Sequence, residues 1–338
     1  VNRELRDLLV AAGYSRAARP DFRWQEVIVH RNIASVPPVR PGTGSALLNH
    51  GFNLILLDER GAPTHYAKCR PALVPETQHE VSVLTALGAD PALADIIPAT
   101  RSASSATLGV QVSRFIGNRT WASDSKRGDL GAWTRATREI LAIMTRLAER
   151  ADELLPNQTD QRAIRPAELV RPLIPALAQV GLPNELQEVL LAASDSAPPV
   201  VAHPQHGDLW PANLIQRSDG GWWVLDFEMY GRIRMPLHDV FHLVRTSTSP
   251  DEVTWLRRLG AGDDWARAQQ QIIREAAIRH AIPQSALTAI AIYYFVEMTA
   301  RLYRAGTPRS FWQPYLLEIR DAVELLGKLG KLDEVLVG

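Results

Sequence analysis

The apolar residues of this chain change their period about a third of the way along. Ahead of residue 117 they come in short blocks or strict alternation. After an amphipathic stretch from Arg3 to Ala12, Glu26-Val27-Ile28-Val29-His30 and Phe52-Asn53-Leu54-Ile55-Leu56-Leu57 have the composition of strands. Asp58-Glu59-Arg60-Gly61-Ala62-Pro63 is turn chemistry, and it joins the second run to Thr64-His65-Tyr66-Ala67-Lys68-Cys69, so these two segments should pair as an antiparallel hairpin. Alternation then puts Tyr66 and Lys68 on one face of the strand and Ala67 and Cys69 on the other. A helix is expected from Glu76 to Leu87, with Thr77-Gln78-His79-Glu80 as its capping box. Leu108 to Ile116 alternates as a further strand and ends at Gly117-Asn118.

Beyond that point the period is helical. The spacing predicts helices over Leu130 to Ala151, Glu168 to Val180, Asn184 to Ala193, Trp265 to His280, Gln284 to Ala305 and Phe311 to Leu329. One region interrupts them. His206 to Ile215, a Ser218-Asp219-Gly220-Gly221 turn and Trp222 to Glu228 read as loop, short strand, turn and short strand. The expected class is α+β: residues 1–116 form a small antiparallel-sheet lobe with one main helix, and residues 117–338 form a larger, mainly helical one.

Composition narrows the possibilities. With 338 residues, 46% hydrophobic and 22% charged, the chain can bury two domain-sized cores. Lysine and arginine number 37 and so do aspartate and glutamate, so no overall field recruits nucleic acid or an anionic bilayer. The single cysteine, Cys69, excludes a disulfide scaffold and a thiolate zinc cage. The stretch from Ala286 to Val296 is about half of the roughly 20 residues a membrane span requires, and Leu8-Leu9-Val10-Ala11-Ala12 near the start is too short for a secretory core. A cytoplasmic protein without nucleic-acid or membrane partners is expected.

Chemistry concentrates where the helical trend breaks. Asp208 and Asn213 lie on one loop held rigid by Gly207 and Pro211, and Asp226 closes the apolar strand that follows. Such hard oxygen donors suit Mg²⁺, which keeps several waters and completes its shell with phosphate oxygens. An Asn and an Asp on the metal, beside a second Asp able to accept a proton, are what phosphoryl transfer to a hydroxyl needs.

His206-Gly207-Asp208-x-x-x-x-Asn213, followed by Leu225-Asp226-Phe227 and by Pro236-x-x-Asp239, resembles the catalytic loop and metal motif of aminoglycoside phosphotransferases, choline kinases and related small-molecule kinases. The resemblance implies a protein-kinase-like bilobal fold. It also implies ATP or GTP with Mg²⁺ as cofactors and a small-molecule hydroxyl acceptor: an aminoglycoside, another antibiotic or natural product, an amino alcohol or a sugar. By the same resemblance Asp208 would be the catalytic base, Asn213 and Asp226 the metal ligands, Lys68 the phosphate contact and Glu80 its partner. Gly42, Gly44 and Ser45 would belong to the phosphate-covering loop, and Ser113, Phe115 and Ile116 to the hinge against the base. The landmarks run from about residue 40 to 245. The glycine loop is not a clean G-x-G-x-x-G, and Met235 stands where the family often has an acidic residue before the proline.

Competing readings have their own residues. Lys68 could be an ordinary strand lysine, and Glu80 the capping partner of Thr77. His203, His206, His238 and His242 lack the spacing of a zinc site; the resemblance implies that His206 braces the catalytic loop, and Asp239 is read as a buried support for it. Trp255, Trp265, Tyr293, Tyr294, Phe311, Trp312 and Tyr315 at helical spacing are first of all core, and Asp263-Asp264 a helix start. Glu297 with that pair could instead face a cationic acceptor. A serine/threonine protein kinase of the stress-response type shares these motifs, and the irregular glycine loop also admits a silent nucleotide-binding module.

Overall fold

The computed structural model describes residues 2–19, 27–30, 52–72, 75–117, 119–123, 128–155, 163–248, 254–329 and 332–337. They divide into two compact units, Val1–Trp121 with Ala212–Tyr230, and Ala122–Pro211 with Gly231–Gly338. The expected boundary after 116 differs from this division over residues 117–121 and 212–230, the latter being a hairpin counted with the first unit.

The first unit is organised by a five-stranded antiparallel sheet of order β1-β2-β3-β5-β4, comprising β1 (Val27–His30), β2 (Phe52–Leu57), β3 (Pro63–Pro71), β4 (Thr100–Ser104) and β5 (Leu108–Arg114). The expected hairpin is β2 and β3, with Leu54 opposite Ala67 and Asn53 opposite Lys68. Asp58 closes its turn by accepting the N–H groups of Arg60 and Ala62 at 2.8 and 2.9 Å. Helix α1 (Asn2–Ala11) buries Leu5, Leu8 and Leu9 in one core with Leu54, Leu56, Ala67, Cys69, Val110 and Val112. Period two therefore turns Lys68 away from this core, to the side where α2 (Pro75–Gly88) supplies Glu80.

Edge strand β4 escapes the sequence pattern because Thr-Arg-Ser-Ala-Ser carries no apolar alternation. It exists as the backbone partner of β5, with Thr100 opposite Ser113. The last part of this unit is the hairpin of β8 (Leu214–Gln216) and β9 (Trp222–Val224), numbered in chain order after the short pair β6 (Ala163–Ile164) and β7 (Val200–Val201) of the second unit. Val224 donates to the Ile96 carbonyl at 2.9 Å, and the Trp121 and Trp222 rings meet edge to face.

The second unit is helical. Helix α3 (Leu130–Leu154) is capped by Asp129, which accepts the Ala132 N–H at 2.6 Å. The helix expected over 168–180 is broken. Pro172 and Pro175 each remove an N–H, and the segment becomes α4 (Pro166–Val170), a 3₁₀ turn (Arg171–Leu173) and α5 (Ile174–Gln179). Then come α6 (Asn184–Asp195), α7 (His238–Ser247), α8 (Trp255–Leu259), α9 (Asp264–Arg279), α10 (Gln284–Arg304), α11 (Arg309–Leu329) and α12 (Leu332–Val337). Every residue of α10 from 289 to 300 is buried, which explains why its sequence is apolar all round. Among the described residues no helix is long and apolar enough to cross a membrane. Trp255, Tyr293, Tyr294 and Tyr315 are buried, as the core reading expects, whereas Trp265 and Trp312 are half-buried and Phe311 is exposed.

Candidate active site

Within the first unit, Lys68 is the centre of an acidic cluster. Its Nζ lies 2.8 Å from Glu80 Oε2, 2.9 Å from Asp226 Oδ1 and 2.5 Å from Glu228 Oε1. The Lys68 side chain is 11% exposed and that of Glu80 is 3% exposed, so these charges interact with little water between them. Burial alone would depress the ammonium. The carboxylates of Asp226, Glu80 and Glu228 outweigh it and hold Lys68 above its ordinary range. Burial raises the Glu80 carboxyl, opposed chiefly by the Lys68 charge.

Each side chain reaches this cluster by a local cause. Lys68 follows from strand alternation. Gln111, directly across the ladder from Lys68, donates to Glu80 Oε2 at 3.2 Å, and the Phe227 N–H donates to Glu80 Oε1 at 3.2 Å. Glu80 is therefore committed to the sheet and to the segment after β9. The expected capping box is corrected accordingly: α2 already begins at Pro75, and Thr77 lies buried inside it. Asp226 has φ of +65°, a left-handed turn that L-residues adopt at a cost of about 1–2 kcal/mol. That turn directs its carboxylate to the amine.

Asn213 sits just before β8 and Asp226 just after β9. The ladder pairs Leu214 with Val224, and the Leu225 N–H donates to the Asn213 carbonyl at 2.9 Å. The two residues thus stand at the same end of the hairpin. Glu80, Asp226 and Glu228 present oxygen atoms within 4.8 Å of one another, against which stand the Lys68 ammonium and, 3.8 Å from Glu228, the Arg70 guanidinium. With Glu80 committed to Lys68 and the sheet, Asp226 and Glu228, each about one-third exposed, are left as oxygen donors of the kind a hard divalent cation takes.

The second unit holds the other part of the motif. Gly207 has φ of +81°, the conformation that favours glycine, and presents Asp208 with a side chain one-third exposed. Asp239 accepts the N–H groups of His206 and Gly207 at 2.6 and 2.8 Å, so it braces the loop as expected. His242 Nε2 is 3.7 Å and Arg301 Nη1 3.8 Å from Asp208 Oδ1, electrostatic contacts too long for hydrogen bonds. Desolvation would raise the Asp208 carboxyl. His242, Arg301 and His206 outweigh it and hold it well below the usual carboxylate range.

The remaining sequence assignments fare unevenly. Gly42, Gly44 and Ser45 lie outside the described residues. Ser113 is paired on both sides, with Tyr66 and Thr100, and the Phe115 N–H is taken by the Thr64 carbonyl at 2.8 Å. That N–H is already paired within the chain, while Ile116 follows it outside the strand. Glu297 does not face an acceptor: it is buried, 3.1 Å from His238 Nε2 and 3.0 Å from Arg301 Nε. Asp263 accepts the Ala266 N–H and starts α9, as its sequence suggests.

Sequence reasoning missed Glu228, Gln111, His242 and Arg301 as parts of these clusters. Period two after Asp226 points to Glu228, and a lone Gln in the alternation of β5 points to Gln111. Arg301 four residues after Glu297 on an apolar helix is a similar signal, for buried charges need partners.

An antiparallel sheet that sets a lysine against a helical glutamate, with a helical unit carrying a braced His-Gly-Asp loop, is the protein-kinase-like architecture of enzymes that move phosphoryl groups. The chain belongs to the phosphotransferase enzyme family, whose model matches residues 58–271. Solved structures share the fold. The GDP and kanamycin complex of APH(2")-IIia matches at 12% identity and TM-score 0.56, over 94% of this chain and 97% of that one. A thermostable mutant of aminoglycoside phosphotransferase APH(4)-Ia, in a ternary complex with ADP and hygromycin B, matches at 14% identity and TM-score 0.51, over 81% and 89%. A search of curated proteins gives no match.

Proposed function

We infer that this phosphotransferase moves the γ-phosphoryl group of ATP or GTP, with Mg²⁺, to a hydroxyl of a small molecule. Aminoglycosides are the first acceptors to try, followed by other antibiotics and natural products, amino alcohols and sugars. The observation that carries this reading is the buried Lys68 ammonium held among Glu80, Asp226 and Glu228. A strand lysine on solvent has no use for three carboxylates, whereas a phosphate ligand must be fixed and charged before nucleotide arrives.

The roles follow from the chemistry of each group. Lys68 binds phosphate oxygens, and Glu80 keeps the amine in place. Asn213 and Asp226 would hold Mg²⁺, which when bound offsets the charge of the phosphates. The backbone of Ile116, just past the paired Ser113 and Phe115, meets the base. Asp208, ionised at neutral pH, accepts the proton of the acceptor hydroxyl as that oxygen attacks.

The test is transfer of label from γ-labelled ATP and GTP to a panel of hydroxylated acceptors in the presence of Mg²⁺. Asp208→Asn should lower kcat by about 10²–10⁴, the usual worth of a positioned base. A variant within tenfold of the parent would remove Asp208 from that role. Label on protein rather than on any small molecule would place the chain among protein kinases.

A further inference from the structure

Asp208, one-third exposed, is the end of a row of half-buried and buried charges that alternate in sign. Its Oδ1 faces Arg301 Nη1 at 3.8 Å. Arg301 Nε pairs with Glu297 at 3.0 Å, Glu297 accepts from His238 at 3.1 Å, and His238 Nδ1 stands 3.8 Å from Asp239. The two ends of the row grip one peptide segment. Asp239 accepts the Gly207 N–H, and Arg301 Nη2 donates to the Gly207 carbonyl at 3.1 Å. Gly207 is held by its N–H and its C=O at once. The Gly207 carbonyl belongs to the peptide that leads into Asp208, so fixing it fixes the plane from which the Asp208 side chain departs.

We propose that Arg301 is a positioning residue for phosphoryl transfer: it orients Asp208 through the Gly207 carbonyl and faces the Asp208 carboxylate with a fixed positive charge. This rests on the assignment of Asp208 as the base. A salt bridge for stability alone would not need this geometry, because Glu297 already faces the guanidinium with an opposite charge from the Nε side while the fork extends past it to the loop. A lysine at 301 could supply charge to Asp208 or a donor to Gly207, but a single ammonium lacks the planar fork that serves Glu297 and the loop together.

Electrostatics agree with this placement. Burial opposes the charged form of every member of the row, yet His238 is held above its usual range by Asp239 and Glu297, and Arg301 is raised by Glu297 and Asp208. The groups facing Asp208 are His242 from α7, Arg301 from α10, His206 from its own loop and, through space, the Tyr315 phenol from α11. Burial keeps His242 below the ordinary histidine range, and its Nδ1 lies 3.1 Å from the Tyr294 hydroxyl. At neutral pH the permanent cation in contact with Asp208 is thus Arg301.

The experiment compares pH profiles of kcat/KM for the full chain and for Arg301→Met, Arg301→Lys, Glu297→Gln and Asp208→Asn, each checked for folding by circular dichroism. Removing the cation should move the acid limb of Arg301→Met to higher pH by about 1 unit or more. Its kcat should fall about tenfold or more, with the acceptor KM changing much less, as expected when a reacting group is misplaced. Glu297→Gln, which leaves Arg301 less neutralised, should move the limb the opposite way or leave it in place. A merely structural role would shift both variants together. Arg301→Lys keeps the buried charge and reports if the methionine variant does not fold: its limb should stay near that of the parent while kcat falls.

An acid limb unmoved in Arg301→Met, or for want of that variant a kcat within twofold in Arg301→Lys, overturns the proposal while an inactive Asp208→Asn leaves the base assignment standing. An active Asp208→Asn overturns both.

Discussion

Removing the Lys68 amine would leave Glu80, Asp226 and Glu228 facing one another in a site with little water. Lys68→Met should therefore lose phosphoryl transfer and also stability, by about 3–5 kcal/mol, the usual cost of stripping one partner from a buried charge set. The sign of its pH dependence follows from Glu80. Burial already raises that carboxyl, and without the ammonium it would rise further, so the folded state binds more protons than the unfolded one. Stability then falls as pH rises, and the deficit of Lys68→Met against the parent should be larger at pH 8 than at pH 5. Urea melts at the two values check this; an equal deficit at both would mean that the carboxylates disperse on substitution. Strand alternation alone placed Lys68 opposite Cys69. It could not tell a solvent-facing lysine from this one, because the partners come from a helix 12 residues later and a loop 158 residues later.

The elements show the same division. Helix α9 ends at Arg279, and a histidine just past a helix C-terminus is normally favoured in its charged form. Here burial dominates, His203 and Arg279 add to it, and His280 is lowered to about 4. The rings of His203 and His280 lie 5.2 Å apart. A histidine depressed from about 6.5 to about 4 binds fewer protons folded than unfolded, so stability is present above the unfolded value and lost as pH falls toward the folded one. The Tm should drop between pH 7 and pH 4.5, and His280→Gln should flatten that drop without changing the Tm at pH 8 by a comparable amount. A profile as steep in the variant would assign the acid loss elsewhere.

Periodicity located most of the described helices and strands, since a strand turns successive side chains to opposite faces and most helices bury a stripe. It misread residues 168–180, where Pro172 and Pro175 outweigh an apolar period, and it passed over β4, whose polar sequence is held only by backbone pairing. The capping box before α2 failed for a different reason. Glu80 fits that pattern, but the sheet offers it a buried ammonium, and a charged partner in a dry site outweighs a surface cap of about 1 kcal/mol.

For the whole molecule, binding must show as stability. Mg²⁺ with ATP or GTP at about a hundred times its Kd should stabilise the folded chain by about 2.7 kcal/mol, read as a rise in Tm that depends on nucleotide concentration. No rise with either nucleotide would remove the nucleotide reading, while a rise with one would decide between them.

The sequence by itself determined the reaction class, because Asp208, Asn213 and Asp226 lie on short segments whose glycines, proline and flanking apolar residues set local geometry at close range. It also determined the order of most elements, since burial period is a local property. Only the tertiary structure decided which charges meet. Glu228 joins Lys68 from a distant loop, and Arg301 reaches Gly207 from a helix 94 residues away. Charge pairing acts through space and leaves no period along the chain, so those partners become visible only when the fold brings them within a few ångströms.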